Sequence, residues 1–512
     1  MLIAALVIVG VVLVLAAVFS ISDNLIQIEA QKEGIDTMKN NLSLVPSFKE
    51  FFGKPAPKYA DADNYHLLSK GHDIKLTGKP SSEIVDVPVT RFAVKPGDFR
   101  GNAPIPKMVV EEGDEVKAGD VLFFDKTQPD IKYTAPVSGE IVEIRRGAKR
   151  SISHVIIMAD KEQRYKQFDA PSTEGTDREK LVQFLIESGA WAHINQRPYD
   201  VVADTELIPQ NIFVSTFDSA PLATDLNLIA EGNGPHFQKG LDILNQLTSG
   251  MVYLGLDARG EKPHPTYTEA QGVQKHWFNG KHPVGNVGVQ IHHTAPIRGI
   301  NTVWTLTPES VMTIGRLFNE GIYKCEKVVS LTGGQVKTPM NVRTSMGASV
   351  SELLKGNLVE SKTRVIIGDV LSGSTAGEDD FLSIDANQIT AIKEGDNYEL
   401  FGWLLPVTPR PSVSRTFPNF LMGNHEFEAN TNTHGEERAF VVTGQYEKML
   451  PMDIYPQHLM KAIMTGEIEK MEALGINEMS EEDIALAEFA CTSKMPLQSI
   501  LREGLDMMRE QA

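Results

Sequence analysis

The pattern of apolar and polar positions divides the chain into stretches of different period. The first run, MLIAALVIVGVVLVLAAVFSI, carries no charged side chain before Asp23. A helix needs about 20 apolar residues to cross the hydrocarbon core, so this run is long enough for an anchor. A cleaved signal peptide would begin with basic residues, and none precedes the run. The flanking cations Lys32 and Lys39 follow it, which places the body of the chain on the cytoplasmic side. Residues 1–22 are therefore expected to form a transmembrane anchor. Residues 23–65 read as a tether, since FFGKPAPKYADADN lacks a periodic apolar pattern.

From His66 the pattern shifts to short strand-like runs broken by glycine and proline. VVEEGDEVKAGDVLFF sets Gly113-Asp114 and Gly119-Asp120 at turns, and YTAPVSGEIVEI repeats the arrangement around Pro136 and Gly139. Two halves in this order resemble biotinyl and lipoyl carrier domains, which load a lysine at the tip of the connecting hairpin. Lys126 follows Asp125 as in the lipoyl signature, but TQPD makes Pro129 and Asp130 the expected tip and leaves Lys126 on the hairpin arm. An unmodified β domain over 66–160 is the reading, with a lipoyl or biotin carrier as the alternative.

Helical and strand periods then alternate. REKLVQFLIESG sets Leu181, Phe184 and Leu185 on one stripe and ends at Gly189, and NIFVSTF reads as a buried strand. PHFQKGLDILNQLTSG places Phe237, Leu241, Leu244 and Leu247 at helical spacing, and MVYLGLD is the next strand. This rhythm predicts a Rossmann-like parallel sheet over 161–312. Asp218, just past NIFVSTF, stands where such sheets bind ligands, although capping a following helix is the plainer role. A nucleotide site needs a glycine-rich turn, and EGNGPHF has Phe237 where a third glycine would stand. In ESGAWAHINQRPYD a loop with Trp191, His193 and Arg197 would fill the space a phosphate needs. A β-grasp, soluble-ligand-binding module is expected over 313–365, with Gly333-Gly334 at a turn, then a mixed β region over 366–444. A helical domain is expected over 445–512, in which a capping-box-like Ser480/Asp483 starts EEDIALAEFA and Leu497, Ile500, Leu501 and Leu505 share one face.

Composition narrows the chemistry. A net charge of −18 over 512 residues argues against nucleic acid as a partner. Two distant cysteines, Cys325 and Cys491, supply neither a disulfide framework nor the four thiolates of an iron–sulfur cluster.

KGHDIKLTGKP, YTAPVSGEIVEIRRGAKRS, FNGKHPVGNVGVQIHH, IGRLFNEGIYKCEKVVSLTGGQVKTPMNVRTSMGASV, GDVLSGS, ELFGW and YEKMLPMDIYPQHLMKAIMTGEIEKMEALGINE together resemble the A subunit of the Na+-translocating NADH:quinone reductase. The resemblance runs in one order from about Lys70 to the C-terminus, so the anchor stands ahead of it. More distant relatives carry a glycine-rich flavin loop and a C-terminal cysteine cluster, where this chain keeps only Cys491. The resemblance implies a bacterial inner-membrane respiratory complex that couples electron transfer from NADH to quinone to Na+ export. It implies five partner subunits, B to F, which hold FAD, FMN, riboflavin and iron–sulfur centres. It implies no cofactor on this polypeptide, which would not be catalytic alone. A free-standing flavin- or NAD-dependent dehydrogenase is a further alternative.

The resemblance also implies a contribution to quinone binding, for which His292, His293 and Arg298 are the candidates. Read as strand residues, His292 and His293 point to opposite faces, which disfavours a shared zinc. Polar residues at a strand end are the plainer reading.

Overall fold

The chain divides into two units, Met1–Pro57 and Lys58–Ala512, in this computed structural model. The structure describes residues 10, 11, 14, 18, 19, 21, 22, 25, 26 and 29, then 55–511 apart from 102–104, 174, 300, 360–361, 397, 399–400, 402–408 and 415–417. In the first unit the described residues up to Glu29 are helical and 55–57 are not, and Val11, Val14, Val18, Phe19 and Ile21 are exposed. Most of the expected anchor over 1–22, and of the tether up to residue 54, lies outside the described residues. Among the described residues no helix is long and apolar enough to cross a membrane.

In the second unit, β1 (Tyr65–Leu67) pairs in parallel with a strand more than 200 residues away, His66 opposite Phe278. β2 (Ile84–Asp86) likewise joins a distant strand. Next come β3 (Arg91–Val94), β4 (Lys107–Met108), β5 (Glu115–Val116), β6 (Val121–Phe124), β7 (Lys132–Thr134), β8 (Gly139–Arg146) and β9 (Ile152–Ala159). They form two small sheets ordered β3-β9-β8-β5 and β4-β6-β7. Leu122, Phe123, Tyr133, Ile141, Val155 and Ile157 are buried in one core, so the two half-motifs close into a barrel-sandwich. Pro129 and Asp130 do occupy the β6–β7 turn. Lys126, however, is an exposed loop residue and not part of a hairpin arm. Pairing ends at Phe124 opposite Lys132, and buried Asp125 bends the chain by accepting from Thr127 N (3.1 Å) and Thr127 Oγ1 (2.7 Å).

β10 (Asn195–Arg197), β11 (Val201–Val202), β12 (Asn211–Ser215), β13 (Val252–Asp257), β14 (Gln274–Asn279) and β15 (Val303–Leu306) follow. With β1 they build a seven-stranded sheet, β1-β14-β13-β12-β15-β10-β11. β1, β14, β13, β12 and β15 run parallel, as the alternating periods predict, while β10 and β11 are antiparallel additions. Helices Arg178–Glu187, Gly234–Leu247 and Pro308–Glu320 cover the face lined by Ile212 and Val214. Phe213, one residue out of phase, points the other way and packs on Ile291 of helix Val287–Thr294.

A third sheet combines β16 (Glu326–Thr332), β17 (Met340–Ser345), β18 (Thr363–Ile367), β19 (Ser374–Thr375) and β20 (Gln388–Lys393) with β2, in the order β19-β18-β20-β16-β17-β2. Arg145 Nη2 meets Asp379 at 2.9 Å and Lys95 Nζ meets Asp380 at 3.4 Å, clasping the barrel-sandwich to the loop before β20. The C-terminal region is helical and has its own core, including Leu459, Met460, Ile484, Leu497, Leu501 and Leu505. Ser480 and Asp483 form the capping box read from the sequence, with Ser480 N donating to Asp483 Oδ2 at 2.9 Å.

Helices Gly234–Leu247 and Pro308–Glu320 meet almost backbone to backbone. A Cβ on Gly315 would stand 1.7 Å from the His236 carbonyl, and one on Gly240 would stand 2.2 Å from that of Val311. Gly315→Val is expected to force the pair apart and lower stability by ~2 kcal/mol or more, measured as an earlier thermal unfolding transition than in the unaltered chain.

Candidate functional site

Two places where a cofactor-binding α/β fold would do chemistry are closed by the chain's own side chains. The first lies past the carboxyl end of β12. Ser215 Oγ donates to Gly285 O (2.9 Å), and Ser219 Oγ accepts from Gly285 N (2.8 Å) and sits 3.0 Å from His282 Nδ1. Asp218 does not cap a helix. It accepts from Ala220 N at 2.8 Å in a local turn, and no helix begins before Asn227. Burial first, then the neighbouring Asp369, push the Asp218 carboxyl up, while burial pushes the His282 imidazole down.

The second place is the ESGAWAHINQRPYD stretch, which folds as a 3-10 turn, Ala190–His193, leading into β10 and not as an open loop. Trp191 is fully buried, donates to Ala203 O at 2.8 Å and stands edge-on to Trp304. His193 lies 2.9 Å from Tyr323 Oη, and burial pushes its value down to about 4. Arg197 is 1% exposed. Its guanidinium donates to Asp483 Oδ2 (3.0 Å), Ser480 Oγ (2.8 Å) and Glu482 Oε1 (3.0 Å). Helix Val287–Thr294 can lie against this group because it carries Gly288, whose Cβ would stand 2.4 Å from both Arg197 Nη1 and Asp483 Oδ2. Both thiols are buried as well. Burial pushes Cys325 up to about 12, and Cys491 Sγ lies 2.8 Å from Tyr446 Oη.

The structure corrects the setting of His292 and His293, which lie on helix Val287–Thr294 and not on a strand. Val287, Val289 and Ile291 alternate with period two, yet Gly288 and Gln290 between them are also buried. Packing against both the sheet and the C-terminal region hides consecutive positions, so the period misleads. His292 Nε2 accepts from Asp453 N (3.0 Å), which leaves Nδ1–H to donate to Glu478 (2.9 Å). His293 Nε2 donates to Pro451 O (2.7 Å). The two rings therefore share one task, holding the C-terminal region, while Arg298 is exposed in the loop that follows. Among the described residues no group of His, Cys, Asp and Glu is arranged to hold a metal ion.

His293 also belongs to a cluster that sequence reasoning missed. His66 of β1 stacks on Phe278 at 4.7 Å, its Nε2 lies 2.9 Å from His276 Nδ1, and its ring centroid is 6.3 Å from that of His293. Tyr253 and Phe213 extend the aromatic row along the same face. Burial, followed by His276 and His293, pushes His66 down to about 3. An aromatic wall beside an imidazole suits a planar ring that carries a hydrogen-bonding carbonyl. Alternation in QKHWFNG puts His276 and Phe278 on one face, but nothing in the sequence brings His66 beside them. A separate shallow groove of about 660 Å³ opens at the amino ends of β1, β13 and β14, lined by Tyr59, Asn64, Met251, Gln274 and Trp277.

A barrel-sandwich joined to a parallel α/β sheet, a further mixed sheet and a helical C-terminal region define a multidomain α/β protein. Comparison with known proteins gives the family. The NqrA N-terminal barrel-sandwich hybrid domain matches residues 67–160, the NqrA second alpha/beta domain 176–323 and the NQRA C-terminal domain 328–378. The chain is 38% identical over 444 residues to the Na(+)-translocating NADH-quinone reductase A subunit of Alcanivorax borkumensis, covering 86% of this chain and 98% of that protein. The A subunit of Neisseria meningitidis serogroup B is 36% identical over 87% of this chain and 99% of that protein, and the A subunit of Vibrio atlanticus is 37% identical with the same coverage. The chain belongs to the NqrA family, the A subunits of Na(+)-translocating NADH-quinone reductases.

Arg197→Ala strands buried Asp483 and is expected to cost ~3–5 kcal/mol. Arg197→Ala with Asp483→Ala is expected to cost less than the sum of the two single changes, as denaturant unfolding of all three variants would measure. The buried histidines set a pH dependence. His66 at about 3 and His193 at about 4 lie below their ordinary 6.5, so the folded state binds fewer protons than the unfolded one. Their stabilisation is complete above pH 6.5 and falls as pH drops toward 4. His66→Phe is expected to flatten that fall in a series of thermal midpoints.

Proposed function

We propose that this chain is the A subunit of a respiratory Na+-translocating NADH:quinone oxidoreductase, which couples electron transfer from NADH to quinone to Na+ export. The observation that carries this reading is the match to 98% of a relative's length at 38% identity. The chain itself is redox-silent and serves assembly, while the other five subunits (B to F) carry the flavins and iron–sulfur centres. The buried thiols and filled crevices favour this over a carrier protein loaded on Lys126 or a free-standing dehydrogenase.

On this reading residues 1–22 anchor the chain in the bacterial inner membrane with its body on the cytoplasmic side, and the tether from residue 23 gives way to the body before Tyr59 and Tyr65, which meet Trp277. The body is taken as 66–160, 161–312, 313–365, 366–444 and 445–512, with helix Pro308–Glu320 and β18 running across two of those boundaries. His292, His293 and Arg298 contribute to a quinone site, which the His66–His276 cluster would border.

Affinity purification from detergent-solubilised membranes is expected to bring down flavoprotein companions with Na+-stimulated NADH:quinone reductase activity. Arg298→Leu in that complex is expected to raise KM for quinone by about 2- to 10-fold, the worth of one hydrogen bond, because Arg298 is the exposed candidate of the three. A chain that purifies alone with stoichiometric flavin, or with added lipoyl mass on Lys126, would overturn the reading.

A further inference from the structure

The basic run Arg145-Arg146-Gly147-Ala148-Lys149-Arg150 splits into one cation used by the fold and three that are not. Arg145 is held by Glu143 (3.0 Å) and Asp379 (2.9 Å). Arg146, Lys149 and Arg150 are exposed, and none enters an ion pair among the described residues. They crowd the tip of the β8–β9 hairpin on a chain whose net charge is −18. Lys149 and Arg150 adopt left-handed backbone, φ 52° and 65°. A tight hairpin turn of this kind is served best by Asn-Gly, so two long cations stand where local stability would place neither.

The hairpin also projects. The third strand, β3, pairs no further out than Val94 opposite Val155. Beyond Arg145 and His154 only the two strands continue to the turn. Ile152, opposite Arg146, is still buried in the core, so at ~3.3 Å per residue the tip stands on the order of 5 Å clear. The three cations of the tip come nearer to whatever meets the hairpin than the acidic body does, and a ~8 Å screening length at physiological ionic strength favours the nearer charges.

We propose that this tip makes an electrostatic contact with the anionic phospholipid headgroups of the membrane. The proposal rests on the reading of the chain as part of a membrane-bound pump. A stereospecific protein interface draws its energy from packed aromatic anchors, and here Gly147 and Ala148 separate flexible cations with no aromatic among them. Dense, mobile negative charge matches that chemistry better than a shaped protein pocket does.

The test is flotation of the full chain with phosphatidylcholine vesicles, with and without phosphatidylglycerol, comparing the unaltered chain with R146Q/K149N/R150G. The Asn-Gly turn favours the hairpin, so the variant keeps its fold, as an unchanged thermal transition checks. The ratio of anionic to neutral partitioning removes any binding through residues 1–22. Each cation near an anionic surface is worth about a five-fold gain, so the variant is expected to lose roughly a hundred-fold of that ratio. Equal ratios for the two proteins would overturn the proposal. So would loss of companion proteins from the variant with its vesicle ratio unchanged, which would assign the tip to an acidic protein surface. If the unaltered chain retrieves no companions at all, the functional reading fails independently of the flotation result.

Discussion

The guanidinium of Arg197 is the contact around which the second unit is organised. It sits almost without solvent at the end of β10 and binds the capping box of helix Glu481–Ala490, nearly 300 residues later in the chain. A buried cation is tolerated only when carboxylates and hydroxyls satisfy it, and a buried Asp483 needs the cation equally. That mutual requirement fixes the C-terminal helices against the sheet. It also dictates glycine at position 288, because the helix carrying His292 and His293 must pass within a Cβ's width of the ion pair. With the helix so placed, His292 reaches Glu478 and His293 reaches Pro451, adding two more hydrogen bonds to the seam.

The same economy occupies the carboxyl end of the α/β sheet. Parallel sheets bind nucleotides where backbone N–H groups face open space beyond the strands. Here Gly285 N is taken by Ser219, the loop after β12 is turned inward by Asp218, and Trp191 fills the interior beside Trp304. Polar groups that would otherwise meet a ligand are satisfied internally.

Much of this is legible in the residues. The half-motifs of the barrel-sandwich follow from turn residues at fixed offsets, and the buried stripe Phe237–Leu247 follows from a 3.6-residue period that a helix must honour. The Ser480/Asp483 capping box is local chemistry, complete within four residues. The helix holding His292 reads falsely as a strand because burial on two sides erases the polar face that marks a surface helix. Asp218 misleads for a related reason: an Asp two residues before a free N–H makes a turn as readily as it caps a helix.

By itself, the sequence determined which segments are strands and helices wherever one face is wet, which family the chain resembles, and that two cysteines cannot hold a cluster. Only the tertiary structure decided that β1 and β2 leave their neighbours for distant sheets, that His66 joins His276 and His293, and that Arg197 belongs to Asp483. Those pairings join residues about 200 to 300 positions apart. Periodicity reports the environment of a residue along one element, while the partner across a core is set by packing and charge satisfaction in three dimensions. No local pattern records that choice.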